Sequence, residues 1–208
     1  MQKELHPWNW FAPENSRVLI VGTFPPTTRN WSFDFFYPNK NNQFWKVISR
    51  IAETELHYQR DELAVEERKN LLRKLHVAVT DMGQHILRND NSSLDENLSV
   101  VEYMNIFQIL DENPTIRKII FTSSSGKESA ARWFNQFLAT REIKHRFPTG
   151  KKPLKSSMEY QGKTIELVVL YSTSPRAANR ISFEDLVELY KNEILFSADY
   201  ADSAEDFI

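Results

Sequence analysis

The segment from Val18 to Trp45, VLIVGTFPPTTRNWSFDFFYPNKNNQFW, admits few folds. Val18 to Val21 is an apolar run that stops at Gly22, with Pro25 and Pro26 close behind, so a buried strand must give way to a turn there. Between Phe33 and Trp45 aromatic rings are interleaved with Asp34, Asn39, Asn41 and Asn42, after which Phe44, Trp45, Ile48 and Ile51 recur at helical spacing. Strand, polar aromatic loop and helix in that order is the opening of an α/β sheet, in which ligands bind beyond the carboxyl ends of strands. Stacking surfaces beside hydrogen-bonding groups suit a flat polar ring.

The remaining segments repeat the alternation. Asp61 to Leu75 carries a stripe of Leu63, Leu71, Leu72 and Leu75 and reads as an amphipathic helix. Val77 to Thr80 is a short buried strand that places Asp81 at its carboxyl end. Ser92 to Glu96 has the spacing of a capping box, and a helix is expected over Val101, Met104 and Phe107 up to Pro114. Ile116 to Thr122 is a third strand, followed through Ser123 to Lys127 by a helix with Ala130, Phe134, Phe137 and Leu138 on one face. Met158 to Gln161 and Thr164 to Tyr171 flank Gly162-Lys163 as a hairpin whose second arm is the fourth core strand. A last helix starts at the capping box Ser182 to Asp185. The length of 208 residues fits one domain, 1–208, with an aromatic lead-in over 1–16 packed on a sheet edge and a frayed acidic tail over 197–208. The expected fold is α/β: a three-layer α/β/α sandwich around a central four-stranded, mainly parallel sheet, its loops gathered at one edge.

Several chemistries are excluded. With no cysteine the chain has no disulfide, thiolate metal site or thiol nucleophile. The five histidines never approach ligand spacing, so no metal is expected, and no cofactor motif is present. Gly126-Lys127 lacks the earlier glycine of a phosphate loop, whose place Phe121 takes. No run of apolar residues is long enough for a membrane span and no leader pattern opens the chain, so a cytoplasmic location is expected. A net charge of −2 leaves nucleic-acid contacts to local patches. One such patch is Arg141 to Lys155, with six Lys or Arg against the single acid Glu142; it reads equally as a solvated linker or as a phosphate-contacting loop that includes Lys151 and Lys152.

Taken together, the motifs resemble the uracil-DNA glycosylase superfamily. Gly22-Thr23-Phe24-Pro25-Pro26 resembles its first motif, Asn42-Gln43-Phe44-Trp45 the Asn-x-Phe-Trp helix start of mismatch-specific uracil glycosylases, and Ser172-Thr173-Ser174-Pro175 its second motif. Val79-Thr80-Asp81, Ser93-Leu94-Asp95 and the Ile119 to Phe134 strand and helix extend the likeness over most of the chain. It is nearest the branch with Gly-Ser-Phe-Pro and Ser-Thr-Ser-Pro motifs, which includes hypoxanthine-DNA glycosylases. Phe24 stands where the superfamily usually has a catalytic Asp or Asn, and Ser172 where it has a histidine.

The resemblance implies a monofunctional DNA glycosylase of base-excision repair, monomeric and free of metal and cofactor. It would hydrolyse the N-glycosidic bond of a uracil or hypoxanthine flipped out of DNA. Water positioning would fall to Asn42, with Asp34 and Asn39 behind it. Base-binding candidates are Thr23, Phe24, Phe36, Tyr37 and Asp81; Phe36 or Tyr37 would stack on the base or simply fill core. Asp81, acting as an acceptor, would favour a ring with an N–H at its edge, or else cap the next helix. Ser172, Ser174, Arg176 and Arg180, together with Lys151 and Lys152, would contact DNA, with Arg176 or Arg180 as a wedge. The alternative is a non-catalytic nucleic-acid or nucleotide binder that kept the fold after losing the first-motif acid.

Overall fold

The computed structural model describes residues 2–90, 92–124, 127–177 and 179–195. The elements in chain order are β1 (Gln2–Leu5), β2 (Val18–Gly22), α1 (Phe44–Ile51), α2 (Asp61–Leu75), β3 (Val77–Asp81), β4 (Gly83–Arg88) and β5 (Leu98–Tyr103). There follow α3 (Ile106–Glu112), β6 (Lys118–Phe121), α4 (Ala130–Ala139), β7 (Leu154–Tyr160), β8 (Lys163–Val169) and α5 (Phe183–Leu195). Single 3₁₀ turns interrupt the loops at Thr28–Asn30, Asp95–Asn97 and Pro175–Ala177. The Ser125-Gly126 pair and the acidic tail lie outside the described residues.

The main sheet has five strands in the order β3-β2-β6-β8-β7. Every residue of β3, β2 and β6 is buried, which requires cover on both faces of the sheet. β2 lies between β3 and β6. It runs parallel to β3 and β6, and β6 runs parallel to β8. Alternate residues feed two cores. Leu19, Val21, Ile119 and Phe121 face Phe134 and Phe137 of α4 and Ile109 of α3. Val18, Ile20, Ile120 and Val168 face Ile48 of α1, Leu72 of α2 and Tyr190 of α5. Each such side chain contributes about 1.5–3 kcal/mol on burial, so the period-two alternation of the strands fixes three layers.

Two expectations are corrected. The sheet has five strands rather than four, because the first arm of the hairpin pairs antiparallel with β8 along its whole length, from Leu154↔Val169 to Tyr160↔Lys163. Its strict alternation of half-buried and exposed residues is that of an edge strand. The helix expected from Val101 begins instead at Ile106, capped by the Asn105 side chain, which accepts from Gln108 N–H. Leu98 to Tyr103 is strand β5, paired with β4, and Val101 points outward at 54% exposure. β4 offers unpaired backbone groups that a strand can satisfy and a helix cannot.

β1, β4 and β5 form a separate antiparallel sheet, which the sequence reading did not resolve. The lead-in thus touches both sheets: β1 pairs with β4, and Phe11 bridges Val79 on the edge of the main sheet. A buried arginine joins these parts. Arg88 holds both oxygens of Glu4 through Nε, at 2.9 and 3.0 Å, and donates to the carbonyls of Pro25 and Ser92. Among the described residues no helix is long and apolar enough to cross a membrane.

Candidate active site

The parallel strands end level with each other, since Gly22 is in register with Asp81, and beyond those ends lies a cleft of about 530 Å³. This size is ordinary for a small-molecule or nucleotide site. Its floor and walls come from Gly22 to Pro26, Tyr37 to Asn39, Asn42, Asp81, Ser93 to Glu96, Thr122-Ser123, Lys127-Glu128, Ser172 to Ala177, and Arg180.

Asp81 lies deep in this cleft, 6% exposed, on the last position of β3. Its Oδ2 is within hydrogen-bond distance of His6 Nε2, at 3.0 Å, and the His6 ring is itself buried among Trp8, Phe24 and Phe36. Its Oδ1 occupies the space above Gly22, where a Cβ would stand only 2.0 Å away. Gly22 is therefore required by a close approach, and the carboxylate is fixed in orientation. The helix-cap alternative for Asp81 fails, because β4, not a helix, follows it.

Tyr37 supplies the ring. It stacks on Phe44 at 3.8 Å, and its hydroxyl lies 3.4 Å from Thr122 Oγ1. Its backbone is left-handed, with φ 52°, a conformation that costs a non-glycine residue free energy and is found where a side chain must be aimed. Burial, reinforced by the nearby Asp81 charge, pushes the phenol well above its ordinary range, so it stays protonated. Phe36, by contrast, is fully buried against Trp8 and Phe35 and does not line the cleft. Of the two rings that the sequence left open, Phe36 fills core and Tyr37 faces the site.

Asn42 lines the cleft one residue before the cap of α1. Its Oδ1 accepts the Phe44 N–H at 2.9 Å, which fixes the amide's orientation; no group among the described residues takes its Nδ2. Asn39 also lines the cleft, and its Oδ1 turns back to Asn41 N–H. Asp34 does not line it. Its carboxylate is exposed and accepts the Trp8 indole N–H at 2.8 Å, so Asp34 drops out of the set of water-positioning candidates.

Thr23 lines the wall, its hydroxyl 3.2 Å from Ser123 Oγ. Phe24 is turned inward, 9% exposed, edge-on to His6 and beneath the Arg88 guanidinium. On the opposite side Ser172 and Ser174 form a tight turn, with Ser174 N–H donating to Ser172 Oγ, and exposed Arg176 and Arg180 stand at the rim. Thr173 ties this loop to the first helix, since its carbonyl accepts Gln43 N–H at 2.9 Å. Its own buried Oγ1 has no partner among the described residues.

Lys151 and Lys152 are not on the cleft. Lys151 is exposed, whereas Lys152 is half-buried with its Nζ on the Leu170 carbonyl at 2.8 Å. Burial, with Arg180 nearby, lowers Lys152 to about 8. The exposed basic loop is therefore corrected at this position: Lys152 holds the end of β8.

Two groups carry no signal of their place in the spacing of the sequence. His6 follows β1, whose partner β4 lies far along the chain, so its position behind Asp81 comes from the fold. Asp95, expected in a helix start, lines the cleft, where the Thr23 side chain favours its charged form. Burial pushes its carboxyl up to about 6; Thr23 opposes this shift, Asp81 adds to it, and Arg88 and Arg176 oppose it more weakly.

No protein-family model and no curated protein matches the chain. Among solved structures, it is similar to the solution NMR structure of a "putative Uracil DNA glycosylase" from Methanosarcina acetivorans, at a TM-score of 0.52 and 19% identity, over 89% of this chain and 95% of that one. At that identity the likeness concerns the fold: the chain has the α/β architecture of that protein, with its cleft at the carboxyl ends of the parallel strands.

Proposed function

We propose that the protein is a DNA glycosylase of base repair that hydrolyses the N-glycosidic bond of a deaminated base turned out of the helix into this cleft. The observation that carries the reading is the pairing of Asp81 with Tyr37. His6 occupies Oδ2, so Asp81 offers the cleft one oriented acceptor oxygen beside a ring on which a base can stack. Such a site favours a base edge that carries an N–H, as uracil does at N3 and hypoxanthine at N1. Asn42 positions the attacking water, Ser172 and Ser174 meet a backbone phosphate, and Arg176 presses into the gap left by the extruded base.

The test is turnover. Purified protein is incubated with duplexes and single strands containing uracil, hypoxanthine or xanthine, then treated with alkali to break abasic sites. Strand breaks are expected with at least one of these bases, and Asn42→Ala should lower the rate by about 10² or more. The inward-turned Phe24 favours a second reading, a binder without catalysis. Tight binding of a lesion duplex with no strand break on any base would establish the binder in place of the enzyme.

A further inference from the structure

The loss of an acid at Phe24 leaves the question of which group takes the proton from water. The acids around the cleft are Asp81, Asp95, Glu96 and Glu128. Asp81 is tied to His6, Glu128 takes the Trp133 indole N–H, and Glu96 is exposed. Asp95 is different. It lines the cleft with no ion-pair partner among the described residues, and the Thr23 hydroxyl on the same cleft favours its charged form. That hydroxyl ends a chain of contacts: Ala130 N–H at the start of α4 donates to Ser123 Oγ at 3.0 Å, and Ser123 Oγ lies 3.2 Å from Thr23 Oγ1. Asp81 and Asp95 both line the cleft that Tyr37 faces, and both charges act on its phenol.

Resting on the glycosylase reading, we propose that Asp95 is the catalytic base of this cleft, with Thr23 as its positioning residue. The C1′–N bond breaks and its electron pair leaves with the base. The water oxygen bonds to C1′, one water proton passes to the Asp95 carboxylate and on to solvent, and the departing base anion takes a proton from solvent. Before water arrives, the same carboxylate stabilises the positive charge that develops at the sugar. Asp81 keeps the reading role because His6 holds it still.

The charged and titratable groups facing Asp95 are Asp81 from β3, Arg88 from β4, Tyr37 from the loop before α1 and Arg176 from the turn after β8. With its carboxyl at about 6, the base is lost as pH falls through that value, so the rate should drop tenfold per unit below it. In the fold this carboxyl lies above its ordinary 3.8, so between those values the folded state binds more protons and stability falls as pH rises. Asp95→Asn removes that loss.

The experiment compares the parent with Asp95→Asn on the base that the parent cleaves best. We expect the rate to fall by about 10² or more with lesion-DNA affinity kept, the acid limb of the pH profile to vanish, and the melting temperature at pH 7 to rise, the gain closing below about pH 4. A second arm measures binding to duplexes with a cationic pyrrolidine or a neutral tetrahydrofuran in place of the sugar. The parent should prefer the cation, and Asp95→Asn should lose that preference. If the variant cleaves at the parental rate with the same pH profile, or keeps the preference for the cation, Asp95 is not the base and the glycosylase reading stands without it. A parent that cleaves no base overturns that reading, and the proton transfer with it.

Discussion

Asp81 is held from two sides, by His6 at one oxygen and by the bare Cα of Gly22 at the other. Replacing it with Asn keeps the shape but gives the cleft a group that can donate as well as accept. Asp81→Asn should therefore change which base is cleaved more than how tightly DNA binds, as read from cleavage rates across a panel of bases beside one binding curve. An unchanged panel would reduce Asp81 to packing. At this level the sequence is a good guide where a residue's place follows from the end of an element: Gly22 and Asp81 at strand ends and Asn42 before α1 all reach the cleft. It was a poor guide for rings, because periodicity does not say which of two adjacent aromatics faces inward. Phe36 and Tyr37 part only because the chain takes a left-handed turn at Tyr37.

The last helix is anchored by a charge buried at the start of β6. Lys118 is 2% exposed, and its Nζ lies 3.2 Å from Glu193 Oε2 on α5, 3.3 Å from Glu166 Oε2 on β8 and 3.1 Å from the Glu193 carbonyl. Lys155 meets the other Glu193 oxygen at 2.7 Å from β7. Breaking a buried pair by removing one partner costs about 3–5 kcal/mol. Lys118→Ala is expected near the low end of that range, since Lys155 still faces Glu193, and the loss should show as a lower denaturant midpoint. Lys118→Met should cost less because it refills the volume. The sequence IRKIIFT reads as a strand, but its spacing says nothing of the partners that Lys118 finds on α5 and β8. The strands and helices that were legible are those with strong periodicity; β1, β4 and β5 escaped because their short runs are defined by pairing with one another and not by pattern.

The three-layer arrangement follows from the alternation of apolar strands with amphipathic helices, and it was expected from the chain in that form. The surface was harder to foresee, since a net charge of −2 says little about where cations stand. Lys152 spends its charge on the Leu170 carbonyl, whereas Arg176 at the cleft rim and Lys151 on the neighbouring loop are exposed. Lys151→Ala should flatten the slope of log affinity against log salt by about 0.9, while Lys152→Ala should leave it unchanged. Binding isotherms at several salt concentrations check this.

The contact between His6 and Asp81 joins residues 75 positions apart, and the bond from Gln43 N–H to the Thr173 carbonyl joins the start of α1 to the loop after β8. Such long loops close late, after local helices have formed. A chain emerging from synthesis therefore carries the reading group, the ring and the amide long before the wall that follows β8 exists. During refolding, helical signal should return first and turnover last, so the time at which catalysis reappears dates the docking of β8 rather than the collapse of the core.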